Sequence, residues 1–83
     1  MHIEAIHDLT IAIKLNPFDN TLYKDRAFNY LAIGEAYKAI ENCDVAIKLD
    51  PNDGETYLNR GHAYADMGDH QRAIYDYGIA IKL

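Results

Sequence analysis

The sequence has few of the residues on which several common kinds of site depend. Cys43 is the only cysteine among 83 residues, which excludes an intramolecular disulfide and any zinc site built from cysteines. A single unpaired cysteine also favours an intracellular, cytoplasmic location. No apolar run approaches the roughly 20 residues that a membrane-spanning helix needs. We therefore expect no membrane partner.

Basic residues are also scarce. Eight Lys and Arg residues stand against 13 Asp and Glu residues, which gives a formal net charge of −5. The basic residues are spread singly along the chain and do not form the clustered positive face that a phosphate backbone requires. We therefore expect no nucleic-acid partner, and an RNA-binding helical repeat fits this composition poorly.

The two prolines mark an internal repeat. Pro17 ends the segment AIKLNP and Pro51 ends the segment AIKLDP, 34 residues further on. The letters AIKL return a third time at Ala80–Leu83, at the same interval. A fixed period of this size is what a stack of helical hairpins requires, because each hairpin must present the same packing faces to the next.

Apolar residues within each segment recur at spacings of three and four, which predicts amphipathic helices. We predict five helices, at about 3–15, 20–33, 35–49, 53–67 and 70–82. Pro17 and Pro51 break the pattern after the first and third helices, and Gly34 and Gly68 break it after the second and fourth.

Polar residues after these breaks have the character of helix caps. Asp19 or Asn20 can cap the second helix, and Asp69 can cap the fifth. Asn52 followed by Glu55 has the spacing of a capping box at the fourth helix. The five predicted helices and the four short turns between them account for the whole sequence. We therefore predict no linker and no second domain.

Residues 34 apart are identical mainly where packing or turns require them. The matched pairs are Tyr23 with Tyr57, Arg26 with Arg60, Tyr30 with Tyr64, Gly34 with Gly68, and Ala39-Ile40 with Ala73-Ile74. The unmatched positions are mostly polar, as expected when packing is repeated and the surface is not.

These residues resemble the tetratricopeptide repeat family, whose unit is a 34-residue helix-turn-helix. The resemblance implies an all-α, right-handed α-solenoid of antiparallel helical hairpins with about two and a half repeats. In one domain spanning 1–83, residues 2–19 are a half repeat, 20–53 a full repeat and 54–83 a nearly full repeat. Cys43 departs from the pattern, because it occupies a slot where the family more often has an aromatic residue.

The same resemblance implies a protein-protein interaction scaffold with a concave groove that binds a peptide or a partner helix. Members of the family are typically adaptors, and the first helix of each unit lines the groove. The groove positions in this sequence are Thr21, Lys24, Asp25, Phe28, Leu31 and Ala32 from one unit, and Glu55, Leu58, Asn59, His62, Ala65 and Asp66 from the next. Phe28 and Leu58 would supply apolar contact.

Some members of the family hold a C-terminal carboxylate with a clamp of Lys and Asn residues from successive units. Lys24 and Asn59 occupy two of the clamp positions. Phe28 replaces the first Asn, and the sequence has no third unit to supply the remaining Lys and Arg. The clamp is incomplete, so a carboxylate-binding site of this type is not expected.

No set of residues predicts an enzyme, a metal site or a cofactor. His2 and His7 are five residues apart and do not share a helix face, and His62 and His70 fall on different predicted helices. Cys43 occupies an interior position, so packing is the expected role of its thiol. We expect no catalytic residue and no cofactor.

The last predicted helix carries an apolar face made of Ile74, Gly78 and Ile81. In a longer array such a face would pack on a following unit. The chain is then either a piece of a longer protein or a self-assembling structural module whose uncapped end helices form a homo-oligomer. Self-association is the alternative to the interaction scaffold.

Overall fold

The computed structural model describes all residues from Met1 to Leu83 and contains five α-helices. They are α1 (His2–Leu15), α2 (Asn20–Ala32), α3 (Ala36–Leu49), α4 (Gly54–Asp66) and α5 (His70–Lys82). The all-α prediction is confirmed, and each helix begins and ends within about one residue of the predicted position. None of the five has both the length and the apolar character needed to cross a membrane.

Each helix packs against the next one along the chain, and α2 also packs directly against α4. We call the antiparallel pair α2 and α3 hairpin 1, and the pair α4 and α5 hairpin 2. The contact between α2 and α4 places the first helices of the two hairpins side by side. This arrangement creates the surface on which the candidate site lies.

The two proline turns are held by equivalent tyrosines. The hydroxyl of Tyr23 donates a hydrogen bond to the backbone oxygen of Pro17 at 2.9 Å. The hydroxyl of Tyr57 donates to the backbone oxygen of Pro51 at 3.0 Å. Each tyrosine therefore fixes the turn that precedes its own helix, which sets the angle at which α2 and α4 begin.

Aspartates cap three helices. Asp19, Asp53 and Asp69 each accept a hydrogen bond from a backbone N–H in the first turn of α2, α4 and α5. The predicted capping box of Asn52 and Glu55 is wrong, because the extended residue that begins α4 is Asp53. Asn52 lies one residue before this cap, and its backbone N–H donates to the side chain of Asp50.

Glycines form the tight turns within both hairpins, as predicted. Gly34 and Gly68 have φ values of 80° and 81°, in the left-handed region that a residue with a Cβ rarely adopts. The backbone N–H of Glu35 donates to the carbonyl of Tyr30, and that of Asp69 donates to the carbonyl of Tyr64, five residues earlier in each case. These bonds close the helix end and reverse the chain.

Small residues form the centre of the core. Ala27, Ala39, Cys43 and Ala63 are fully buried, and Ile40 completes the cluster. Their size lets α2, α3 and α4 approach closely. Burial raises the pKa of the Cys43 thiol to about 12. The thiol is therefore protonated at neutral pH and acts as an apolar packing group.

Candidate functional site

A groove runs between α2 and α4 and encloses a cavity of about 710 Å³. Most of the positions that the sequence analysis assigned to the groove line this one cavity. They are Lys24, Asp25, Phe28, Leu31, Glu55, Leu58, Asn59, His62 and Asp66. Ala32 also lines the cavity, whereas Thr21 and Ala65 do not.

Helix periodicity explains why these residues meet. On α2 the lining positions follow Lys24 at steps of three and four through Phe28 to Leu31, and such positions share one face of a helix. On α4 the same steps run from Glu55 through Leu58 to His62 and beyond. Because α2 packs on α4, the two faces form the walls of a single groove.

The groove exposes large apolar side chains. Phe28 is 55% exposed and Leu58 is 40% exposed. Leu31 is half-buried and packs against the core cluster, so the apolar surface of the groove is continuous with the core. Exposed apolar surface that lies inside a concave, partly polar site is typical of a binding surface.

Lys24 is already paired with carboxylates of the chain itself. Its Nζ atom lies 2.8 Å from Asp53 and 3.0 Å from Glu55, and its side chain is only 16% exposed. The hydrogen bond to Asp53 raises the pKa of Lys24, and the same bond lowers the pKa of Asp53. The contact ties α2 to the beginning of α4. Sequence reasoning did not anticipate it, because the partners are 29 residues apart.

Asn59 presents its side-chain amide to the groove. The residue is only 8% exposed and lines the cavity, yet its side chain forms no hydrogen bond within the protein. Asn42, the other buried asparagine, accepts from Arg26 and donates to the Lys38 carbonyl. Thr56 Oγ1 is the one buried side-chain polar atom that lacks a hydrogen-bond partner, so the amide atoms of Asn59 keep contact with solvent in the groove. The Asn59 amide therefore has one acceptor and two donors available to a ligand.

The remaining charges of the groove are acidic. Asp25 on α2 and Asp66 on α4 line the cavity and form no ion pair. His62 packs edge-on against Tyr77, with ring centroids 5.5 Å apart, which fixes its position on the wall. The cavity thus has one cation, which is already paired, and three carboxylates.

Metal-ligating side chains do not cluster anywhere in the fold: no three His, Cys, Asp or Glu side chains come close enough to hold a metal ion. His2 instead shares a 2.8 Å hydrogen bond with Asn29. The groove also contains no nucleophile next to a base. Its chemistry is that of apolar contact, hydrogen bonding and charge.

The residues named for self-association lie on the solvent side of α5. Ile74 is 69% exposed and Ile81 is 86% exposed, and Gly78 between them is also exposed. No helix of the chain covers this face. That a second copy covers it stays a prediction.

Comparisons with known proteins agree with this fold. The family model described as Tetratricopeptide repeat matches residues 42–75. A search of curated proteins gives no significant match.

Among solved structures, the second TPR of Spaghetti (RPAP3) bound to the HSP90 peptide SRMEEVD has a TM-score of 0.96 at 28% identity, covering 99% of this chain and 76% of that one. A crystal structure of MamA has a TM-score of 0.87 at 30% identity over 93% of this chain. The chain spans 45% of that MamA chain, and 47% of another MamA structure with 22% identity.

Proposed function

Because this chain is a tetratricopeptide-repeat domain, we propose that it is a non-catalytic interaction module that binds a peptide or a partner helix in the groove between α2 and α4. The observation that carries the proposal is the combination of exposed Phe28 and Leu58 with the unpartnered amide of Asn59 in one cavity. Apolar contact supplies affinity, and the amide fixes the register of the ligand.

The groove suits an extended peptide. A peptide backbone offers alternating N–H and C=O groups, and an asparagine side chain can accept from one and donate to the other. A ligand backbone at Asn59 would place its side chains beside Phe28 on one wall and Leu58 on the other. A peptide bound in this way would pair with the amide of Asn59 and cover the apolar surface of Phe28 and Leu58.

The RPAP3 structure supports the proposal by analogy. That domain holds an HSP90 peptide, and the similarity covers 99% of the present chain and 76% of the RPAP3 chain. The likeness supports a peptide or protein partner here. The single buried thiol of Cys43 supports our further proposal of a reducing compartment such as the cytoplasm.

A random peptide library displayed on phage tests the proposal directly. The chain is expected to enrich peptides that lose at least about tenfold in affinity against Phe28→Ser and Leu58→Ser, because each change removes apolar contact worth about 1.4 kcal/mol or more. Both side chains are partly exposed, so the variants are expected to fold.

Tyr37→Ser is the matched control. Tyr37 is a 66% exposed aromatic on α3 and does not line the groove. Peptides should bind this variant as they bind the unmodified chain. Failure to enrich any peptide, or enrichment that ignores Phe28 and Leu58, would overturn the proposal.

A second candidate function is self-assembly through α5. The exposure of Ile74 and Ile81 on one helix face favours it, because a second copy would bury both. Light scattering after size exclusion, over a range of concentrations, distinguishes the two functions. A self-assembling chain gives a species larger than 9.4 kDa that Ile81→Lys abolishes, whereas a groove-binding monomer stays near that mass at all concentrations.

A further inference from the structure

We propose that the groove selects a cationic peptide, in which Lys or Arg side chains flank an apolar residue that contacts Phe28 and Leu58. The inference rests on the proposed function and specifies the class of ligand. It follows from three features of the groove: unpaired carboxylates on both walls, a lysine that is already neutralised, and an unpartnered, accessible amide that can orient a backbone.

The first feature is the placement of free carboxylates. Asp25 lies on the α2 wall and Asp66 on the α4 wall, and neither forms an ion pair or a side-chain hydrogen bond. A ligand that passes between the walls meets an acidic group on each side. Cationic side chains in the ligand would pair with both, whereas carboxylates there would be repelled.

The second feature is the state of Lys24. This lysine is the one cation in the cavity, and its Nζ atom contacts Asp53 at 2.8 Å and Glu55 at 3.0 Å. An anionic ligand would have to compete with both carboxylates. Displacing Asp53 would also disturb the beginning of α4, because Asp53 accepts the backbone N–H of Glu55 at 3.1 Å. Lys24 is therefore a poor anchor for an anion.

The third feature is Asn59, which is 92% buried and has no partner within the protein. Its amide pairs with a peptide backbone irrespective of the charge of the peptide. Binding energy from Asn59, Phe28 and Leu58 is thus common to all peptides of similar shape. The charges of Asp25 and Asp66 then decide which of these peptides is preferred.

Three peptides that share one framework and differ in charge at three side chains and at the C-terminus test this preference. The probes are SRMEEVD, the amidated peptide SRMKKVK, in which lysines replace the three acidic residues, and the amidated peptide SRMQQVN, in which uncharged amides replace them. Fluorescence anisotropy at low ionic strength is expected to show that SRMKKVK binds about tenfold or more tightly than SRMQQVN, and that SRMEEVD binds most weakly. The difference should shrink as salt screens the charges.

Paired variants separate groove charge from the overall negative charge of the chain. Asp25→Asn with Asp66→Asn removes two charges from the groove, while Asp8→Asn with Glu41→Gln removes two exposed charges elsewhere. The groove variant is expected to lose most of the preference for SRMKKVK. The control variant, which has the same net charge, should keep it.

Three results would overturn the inference: SRMEEVD binding as tightly as SRMKKVK, equal loss in both paired variants, or no binding of any of the three peptides. None of these results by itself disproves that the groove binds a peptide. That function fails only if displayed peptides do not depend on Phe28 and Leu58. The two sets of results are therefore distinguishable.

Discussion

Hairpins 1 and 2 share one architecture but use different chemistry at the same position. In hairpin 1, Arg26 donates to the side chain of Asn42 at 2.7 Å and to the hydroxyl of Thr10 at 3.2 Å. In hairpin 2, Arg60 donates to both carboxylate oxygens of Asp76 at 2.9 Å and to Asp44 at 3.0 Å.

The partners are themselves related by the repeat, since Asn42 precedes Asp76 by 34 residues, and Thr10 precedes Asp44 by the same interval. The arginine geometry is repeated, while the charge of its partners is not. The hydrogen bonds with Asp76, followed by those with Asp44, raise the pKa of Arg60. Hairpin 2 is therefore held by ion pairs at a place where hairpin 1 is held by neutral acceptors.

A second difference concerns volume. Hairpin 2 has Gly61 facing the ring of Tyr77, and a Cβ atom on Gly61 would lie 2.6 Å from a ring carbon. The equivalent positions of hairpin 1 are Ala27 and Cys43, both fully buried. The larger residue on one helix is matched by a smaller one on the other. Each hairpin thus keeps the helix spacing with its own pair of side chains.

The largest change in stability is expected when the arginine that pairs with carboxylates in hairpin 2 is replaced. Arg60→Met leaves the carboxylate of Asp76 buried without a partner, because Asp76 is only 1% exposed. The free energy of unfolding in urea is expected to fall by about 3 kcal/mol. Arg26→Met removes bonds to neutral groups and should cost about 1 kcal/mol. Adding Asp76→Asn to Arg60→Met should recover part of the lost stability. Equal losses in Arg60→Met and Arg26→Met would contradict this account.

The next largest change in stability is expected when the space that Gly61 leaves for the ring of Tyr77 is filled. Gly61→Ala forces the ring of Tyr77 to move, and unfolding should become easier by about 1–3 kcal/mol. Gly78 is the matched control, because a Cβ there meets no atom within 4 Å. Gly78→Ala is expected to stabilise α5 by about 0.5–1 kcal/mol through helix propensity.

A double-mutant cycle locates the cause. In a Tyr77→Cys background, which reproduces the Ala27 and Cys43 pair of hairpin 1, the cost of Gly61→Ala should largely disappear. The same cost in both backgrounds would show that the ring of Tyr77 is not what Gly61 accommodates. Thermal or urea unfolding of the four proteins measures the coupling.

The smallest effect compares two equivalent capping aspartates. Asp19 and Asp53 each accept a backbone N–H at the start of a helix, but only Asp53 also pairs with Lys24. Asparagine caps a helix about as well as aspartate. Asp53→Asn is therefore expected to lower the free energy of unfolding at pH 7 by about 0.5–1 kcal/mol, and Asp19→Asn to leave it nearly unchanged.

The pH dependence of this effect has a defined sign. Because the pKa of Asp53 is lowered in the folded state, its contribution is present above the unfolded pKa, about 3.9, and is lost as the pH falls through the folded pKa. The gap between Asp53→Asn and the unmodified chain should close at acid pH. A gap that persists at pH 2 would refute the ion-pair explanation.

Much of the fold follows from local patterns. The 34-residue interval, the prolines and the glycines predict five helices, because helix periodicity and turn chemistry are properties of neighbouring residues. The groove residues were predicted from the resemblance to the repeat family, and all except Thr21 and Ala65 line one cavity, because α2 and α4 present equivalent faces to each other.

Other features depend on contacts between distant residues and do not follow from local patterns. The pairing of Lys24 with Asp53, the lack of a partner for Asn59 and the space that Gly61 provides for Tyr77 each require the distance between two helices. The misplaced cap at Asn52 has a different cause. Asn52 and Asp53 are adjacent, and the side chain of either can cap a helix. Which one does so depends on the residue at which the helix begins, and a sequence pattern does not define a helix boundary to within one residue.

The most direct test of groove binding is an NMR titration of the ¹⁵N-labelled chain with the amidated peptide SRMKKVK. The account predicts that the side-chain amide signals of Asn59 shift most, because the ligand forms hydrogen bonds with this amide. The backbone signals of Phe28 and Leu58 should shift as well, because the ligand covers their side chains. Shifts confined to the outer face of α5, at Ile74 and Ile81, with Asn59 unchanged, would contradict it.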